Sequence, residues 1–160
     1  MNKTTLSVAA GIAAFATSPT QAFDPMATGL NGFSVSDPLF TVGEAIHGYT
    51  PPGVLDGLGA YELDDDTVRV LANHELLNFR GYPYEVGDGA GGTFTLLGAR
   101  VSYFDIDKDS RLIVDAGAAY DTIYDAKGDI ATDNTVFSII NGNQFQGFSR
   151  LCSSVLVEAG

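Results

Sequence analysis

Apolar and polar residues alternate with a period of two in several short segments of this chain. Gly59-Ala60-Tyr61-Glu62-Leu63 leads into the turn residues Asp64-Asp65-Asp66, and residues 68–75 then read Val-Arg-Val-Leu-Ala-Asn-His-Glu. Successive side chains of a strand face opposite ways, so this pattern on either side of a polar turn predicts a β-hairpin. Residues 99–106 form the next expected strand, Asp107-Lys108-Asp109-Ser110 its turn, and residues 111–114 the return. Residues 120–124, 136–140 and 153–157 are shorter candidates. The 136–140 run fits a strand or a turn of helix equally, because a short apolar run does not separate the two. No segment carries a sustained stripe of helical period with caps.

The expected class is therefore mostly β, with short strands and close turns, as in a sandwich, barrel or propeller. The spacing suits propeller blades. A blade takes roughly 40–45 residues, so about three would fit here, whereas closure needs about four or more. Residues 155–160 form a strand pattern that runs into a glycine without a polar tail. The expectation is an incomplete β-propeller: residues 56–160 are read as its N-terminal part, belonging to a longer protein and inactive alone. Residues 23–55, rich in Gly, Pro, Ser and Thr, read as an extended lead-in.

Residues 1–22 have a different texture. Lys3 supplies a positive start, residues 6–15 are apolar and uncharged, and Thr20-Gln21-Ala22 resembles a small-residue cleavage site. That order is a secretory signal, with Phe23 as the expected first residue after cleavage. The apolar run is shorter than the roughly 20 residues a spanning helix needs. An exported protein, periplasmic or extracellular and without a span after signal removal, is the expectation.

Charge narrows the partners. Twenty acidic residues against eight Lys and Arg give a formal net charge of −12. This balance argues against a nucleic-acid partner, which requires clustered basic residues. It suits either a solvated acidic surface or oxygen ligands for hard cations. Cys152 is the sole cysteine. In an exported chain an odd thiol is buried and inert, paired with another chain, or held as a reactive or metal-bound thiolate.

Several motifs bear on chemistry. Asn73-His74-Glu75 ends a strand, with Asn73 and Glu75 on one face and His74 on the other. The amide and carboxylate suit a hard cation, and His74 suits a structural hydrogen bond to a backbone carbonyl. Gly87-Asp88-Gly89-Ala90-Gly91-Gly92 lacks the Lys-Ser/Thr ending of a phosphate loop and reads as a flexible connection. Asp105-Ile106-Asp107-Lys108-Asp109 begins like a calcium loop, but Ser110 and Ala116 stand where Gly and Glu belong, so it reads as a hairpin turn. No Gly-x-Ser-x-Gly elbow occurs, and His47 and His74 are the only histidines. Arg150 lies two residues before Cys152; on a strand the two share a face, where the guanidinium would favour the thiolate and contact a phosphate.

The strand ending Val70-Leu71-Ala72-Asn73-His74-Glu75, then Ala99-Arg100-Val101-Ser102, then Phe148-Ser149-Arg150-Leu151-Cys152-Ser153, resembles the PhoX-type alkaline phosphatases over much of residues 56–154. The resemblance implies an exported bacterial phosphomonoesterase of β-propeller fold, using calcium and iron, with small phosphate monoesters as substrates. It makes Cys152 an iron ligand and Glu75 a ligand or near-site carboxylate; Asn73 belongs to the same motif. Arg150 as a catalytic phosphate contact comes from the residue pattern, not from the family. The family's Cys-Ser-Gly is Cys152-Ser153-Ser154 here. A monomer is expected. The alternative from another class is a non-enzymatic secreted β-propeller that serves as a binding or surface module.

Overall fold

The computed structural model describes residues 29–32, 38–125, 127–136, 139–140, 143–144 and 147–152. Its strands are β1 (Leu55–Glu62), β2 (Thr67–His74), β3 (Tyr84–Gly87), β4 (Thr93–Leu96), β5 (Arg100–Asp107), β6 (Ile113–Ala118), β7 (Ile139–Ile140) and β8 (Asn143–Gln144). Four of them form one antiparallel sheet in the order β1-β2-β5-β6, while β3-β4 and β7-β8 are separate hairpins. A 3₁₀ turn covers Asn134–Val136. Among the described residues no helix is long and apolar enough to cross a membrane.

Turn chemistry sets the two long hairpins. Asp64 accepts from the Asp66 amide at 2.9 Å, and Leu63 N–H donates to the Thr67 carbonyl at 2.9 Å. Between β5 and β6, one oxygen of Asp107 accepts from both the amide and the hydroxyl of Ser110, at 2.7 and 2.6 Å. Such aspartates satisfy turn amides that the strand ladder leaves unpaired. Lys108 joins the two tips, donating to the Glu62 carboxylate and to the carbonyls of Asp64 and Asp65. The acidic run at residues 105–109 thus closes β5 and enters its hairpin turn.

Register then sorts the side chains. Val70 opposes Phe104, Ala72 opposes Ser102 and His74 opposes Arg100. On the next strand Phe104 opposes Ala116 and Ser102 opposes Ala118. One face therefore carries Val70, Ala72, His74, Arg100, Ser102, Phe104, Ala116 and Ala118. Its half nearer the turns is apolar: Ala72, Phe104 and Ala116 are buried against Phe40, Ile46, Tyr49 and Ile113. Phe40 stacks on Phe104 with centroids 4.7 Å apart. Burying a phenylalanine such as Phe104 stabilises the fold by about 1.5–3 kcal/mol. The opposite face is polar. Arg69 makes two 2.7 Å bonds to Asp105 and lies 4.3 Å from the Tyr103 ring centroid.

A second core lies beneath the short hairpin. Tyr84, Val86, Leu96, Ile123 and Ala131 are buried there, with Phe94, Ala118, Tyr120 and Phe148 packed around them. This hairpin was not anticipated from the sequence, because its strands have only four residues each and the glycine run between them resembles a loose linker. That run is a turn held by Asp88, whose carboxylate accepts from the amides of Ala90 and Gly92 at 2.8 Å, rather than the flexible connection expected. Residues 120–124 contribute isolated bridges, Gly87–Thr122 and Tyr124–Ile130, in place of a strand. Of the 136–140 run, Val136 closes the 3₁₀ turn and Ile139–Ile140 form β7, while residues 137 and 138 lie outside the described residues. The signal-like residues 1–22 and the strand expected over 153–157 lie outside the described residues.

Candidate functional site

β2 ends at His74, and the backbone of residues 147–152 returns to this end from far along the chain. Ala99 N–H donates to the Phe148 carbonyl at 3.0 Å, and Arg150 N–H donates to the Leu76 carbonyl at 2.8 Å. The passage is tight at Gly98, which has φ +88° and whose added Cβ would come within 2.8 Å of Asn78 Cα and also meet the Phe148 carbonyl. A side chain is excluded there by backbone conformation and by space.

Asn73 points toward this segment. Its side-chain amide donates to the Leu151 carbonyl at 2.5 Å and to the Cys152 carbonyl at 3.4 Å. Those bonds hold Cys152 beside Glu75, where the thiol Sγ lies 3.0 Å from Glu75 Oε1. The Arg150 carbonyl also accepts from Sγ, at 3.4 Å. The structure thus brings Asn73, Glu75, Arg150 and Cys152 to one place, with Asn73 as the brace.

Two expectations change here. Cys152 is exposed, which excludes the buried inert thiol. The backbone at Arg150 is left-handed, φ 55°, and residues 149–152 are not a strand, so Arg150 and Cys152 do not pair through strand alternation. The guanidinium does favour the thiolate, but it is the weakest influence. The hydrogen bond to Glu75 dominates, followed by desolvation and the charges of Glu75 and Asp56, and together they push the Cys152 thiol above its ordinary value. A carboxylate beside a thiol disfavours a second negative charge.

His74 takes the other face and is fully buried. Its Nδ1 lies 3.2 Å from the Gly53 carbonyl, the structural bond expected from the sequence. A carbonyl only accepts, so Nδ1 carries the proton and Nε2 accepts. Ser102 Oγ, 2.7 Å from Nε2, is therefore the donor. Tyr49 OH, 2.6 Å from Ser102 Oγ, must then donate to it. The hydrogen-bond chain runs Tyr49 to Ser102 to His74 to Gly53. Burial, aided by repulsion from Arg100, holds His74 below the usual histidine value and keeps it neutral. Ser102 is 0% exposed, so this Ser–His pair is a buried brace and presents no nucleophile. Sequence reading missed Ser102 and Tyr49 in this role. The available signal was the alternation of two adjacent strands, which puts His74, Arg100 and Ser102 on one face.

Among the described residues no three His, Cys, Asp or Glu side chains form a ready metal cluster. Cys152 and Glu75 nonetheless supply a soft sulfur and a hard oxygen donor side by side. That pair fits one edge of a transition-metal site, since a cation relieves the repulsion that raises the thiol's pKa. No protein-family model, curated protein or solved structure matches this chain.

Proposed function

We propose that the chain belongs to an exported, metal-dependent phosphomonoesterase of β-propeller build, with Cys152 and Glu75 at the metal edge of the site. The observation that carries this reading is the 3.0 Å approach of Cys152 Sγ to Glu75 Oε1, residues 77 positions apart in sequence. A surface thiol gains little from that arrangement alone, because the carboxylate raises its pKa. The same arrangement suits two ligands that share one cation. Asn73 is the positioning residue that fixes the Cys152 backbone, and exposed Arg150 is the anion-binding group beside it.

Iron with calcium is the metal set this reading takes, and it would supply Lewis-acid polarisation of a phosphoryl oxygen. Arg150 would bind the other phosphoryl oxygens and stabilise charge developing on them. The four-stranded antiparallel sheet has the strand number of a propeller blade, which supports the finer fold assignment. Its outer strands carry exposed Leu58 (63%) and Val114 (48%), as strands that pack against neighbouring units would.

The test uses the protein purified with calcium and iron. It is expected to hydrolyse p-nitrophenyl phosphate, and Cys152→Ala is expected to lose both iron and activity. Full iron content in Cys152→Ala would remove the thiol from the site. A folded, metal-free and inactive protein would favour the secreted binding module instead.

A further inference from the structure

The buried face of the sheet carries a cation that no anion pairs with among the described residues. Arg100 is 0% exposed. One terminal nitrogen, Nη2, donates to the Tyr82 carbonyl, whereas Nε and Nη1 have no hydrogen-bond partner among the described residues. The ion pairs among the described residues, Arg69–Asp105 and Lys108–Glu62, do not involve it. Its guanidinium lies 4.2 Å from the Tyr84 ring centroid and 5.9 Å from that of Tyr49. Arg100 acts electrostatically on Tyr49, His74, Tyr84 and Tyr120 alike. A guanidinium cannot shed its proton to escape burial. A buried, permanently charged group with unused donors calls for an anion.

A cleft of about 370 Å³ lies against the same residues, lined in part by Tyr49, Thr50, Tyr82, Tyr84, Glu85 and Ala118. Two of its walls, Tyr49 and Tyr84, are the rings that flank Arg100. A third, Tyr82, supplies the carbonyl that Nη2 now holds. The volume is that of a small-ligand site. Arg100 does not itself line the cleft, so a ligand reaches its guanidinium by displacing Tyr82, which is 43% exposed and holds Nη2 through its carbonyl.

We propose that this cleft is a binding site for a small aromatic monocarboxylate whose carboxylate reaches Arg100. A carboxylate matches the guanidinium donors. A flat apolar body matches walls made of tyrosine rings. Glu85 at the cleft and the net charge of −12 select against a dianion. The site is independent of the Cys152–Glu75 pair: His74, Arg100 and Ser102 are on the face of the sheet opposite Asn73.

The experiment is calorimetric titration of the full chain with benzoate, with neutral benzamide and inorganic phosphate as comparison probes. Benzoate is expected to bind saturably at one site per chain, and benzamide at least tenfold more weakly. Ala118→Leu fills the cleft without touching the charge and is expected to weaken benzoate at least tenfold at unchanged far-UV circular dichroism. Arg100→Gln is expected to abolish the preference for benzoate over benzamide; if that variant does not fold, Ala118→Leu and the benzamide comparison decide the matter. No saturable benzoate binding, equal affinity for benzamide, tighter binding of phosphate, or indifference to Ala118→Leu would each overturn the assignment.

Discussion

Cys152 Sγ lies 3.0 Å from Glu75 Oε1, and this contact, not Arg150, governs the thiol. Replacing Glu75 by Gln removes the charge while keeping the shape. The pH midpoint of thiol alkylation by iodoacetamide should then move down toward the ordinary cysteine range. Arg150→Ala should move it up, because the guanidinium is the group that favours the thiolate. An unchanged midpoint in Glu75→Gln would show that the two side chains do not meet in solution.

Gly98 should control the same contact from a distance. Gly98→Ala forces a Cβ into the Asn78 backbone at a left-handed position. The expected loss exceeds about 1 kcal/mol in urea unfolding, larger than the ordinary benefit of replacing a flexible glycine. Displacing the Phe148–Cys152 passage should also lower the alkylation midpoint, as Glu75→Gln does. A stable variant with an unaltered thiol would contradict the tight passage.

Much of this arrangement is legible in the sequence, and the rest fails for identifiable reasons. The long hairpins follow from alternation and acidic turns, and the separation of Asn73 from His74 follows from strand geometry. The meeting of Glu75 with Cys152 depends on a long-range return through Gly98 that no local pattern encodes. Treating Arg150 and Cys152 as strand neighbours failed because Arg150 adopts a left-handed backbone. The four-residue strands β3 and β4 are too short for alternation to be distinctive, and Asp88 tightens a glycine run that composition alone makes look loose.

The buried chain from Tyr49 to His74 predicts coupled stability effects. Ser102→Ala leaves both the Tyr49 hydroxyl and His74 Nε2 without their partner and should cost about 1–3 kcal/mol. Tyr49→Phe should cost about 0.5–1.5 kcal/mol. In the double variant the two losses should add to less than their sum, since the Tyr49–Ser102 bond is lost in either single variant. Strict additivity in urea unfolding would show that the hydroxyls do not interact.

His74 also gives a pH dependence with a definite sign. Its folded value lies below its unfolded value of about 6.5. Between the two the unfolded chain binds a proton that the folded chain does not. This stability is therefore complete above the unfolded value and declines as pH falls through the window toward the folded one. His74→Gln should remove that decline. Asp88, held low mainly by the Ala90 amide, contributes in a separate window: its stabilisation is present above about pH 3.9 and is lost as pH falls toward its lowered folded value. A slope near pH 6 that persists in His74→Gln would assign it to another group.

The most direct measurement is the optical spectrum of the full chain titrated with cobalt(II), a spectroscopic stand-in for the proposed iron. A thiolate-to-metal charge-transfer band in the near ultraviolet is predicted, with one proton released at the thiol as it forms. The band should vanish in Cys152→Ser and weaken at least tenfold in apparent affinity in Glu75→Gln. A spectrum without that band, or one that Cys152→Ser leaves intact, would contradict a metal edge built from Cys152 and Glu75.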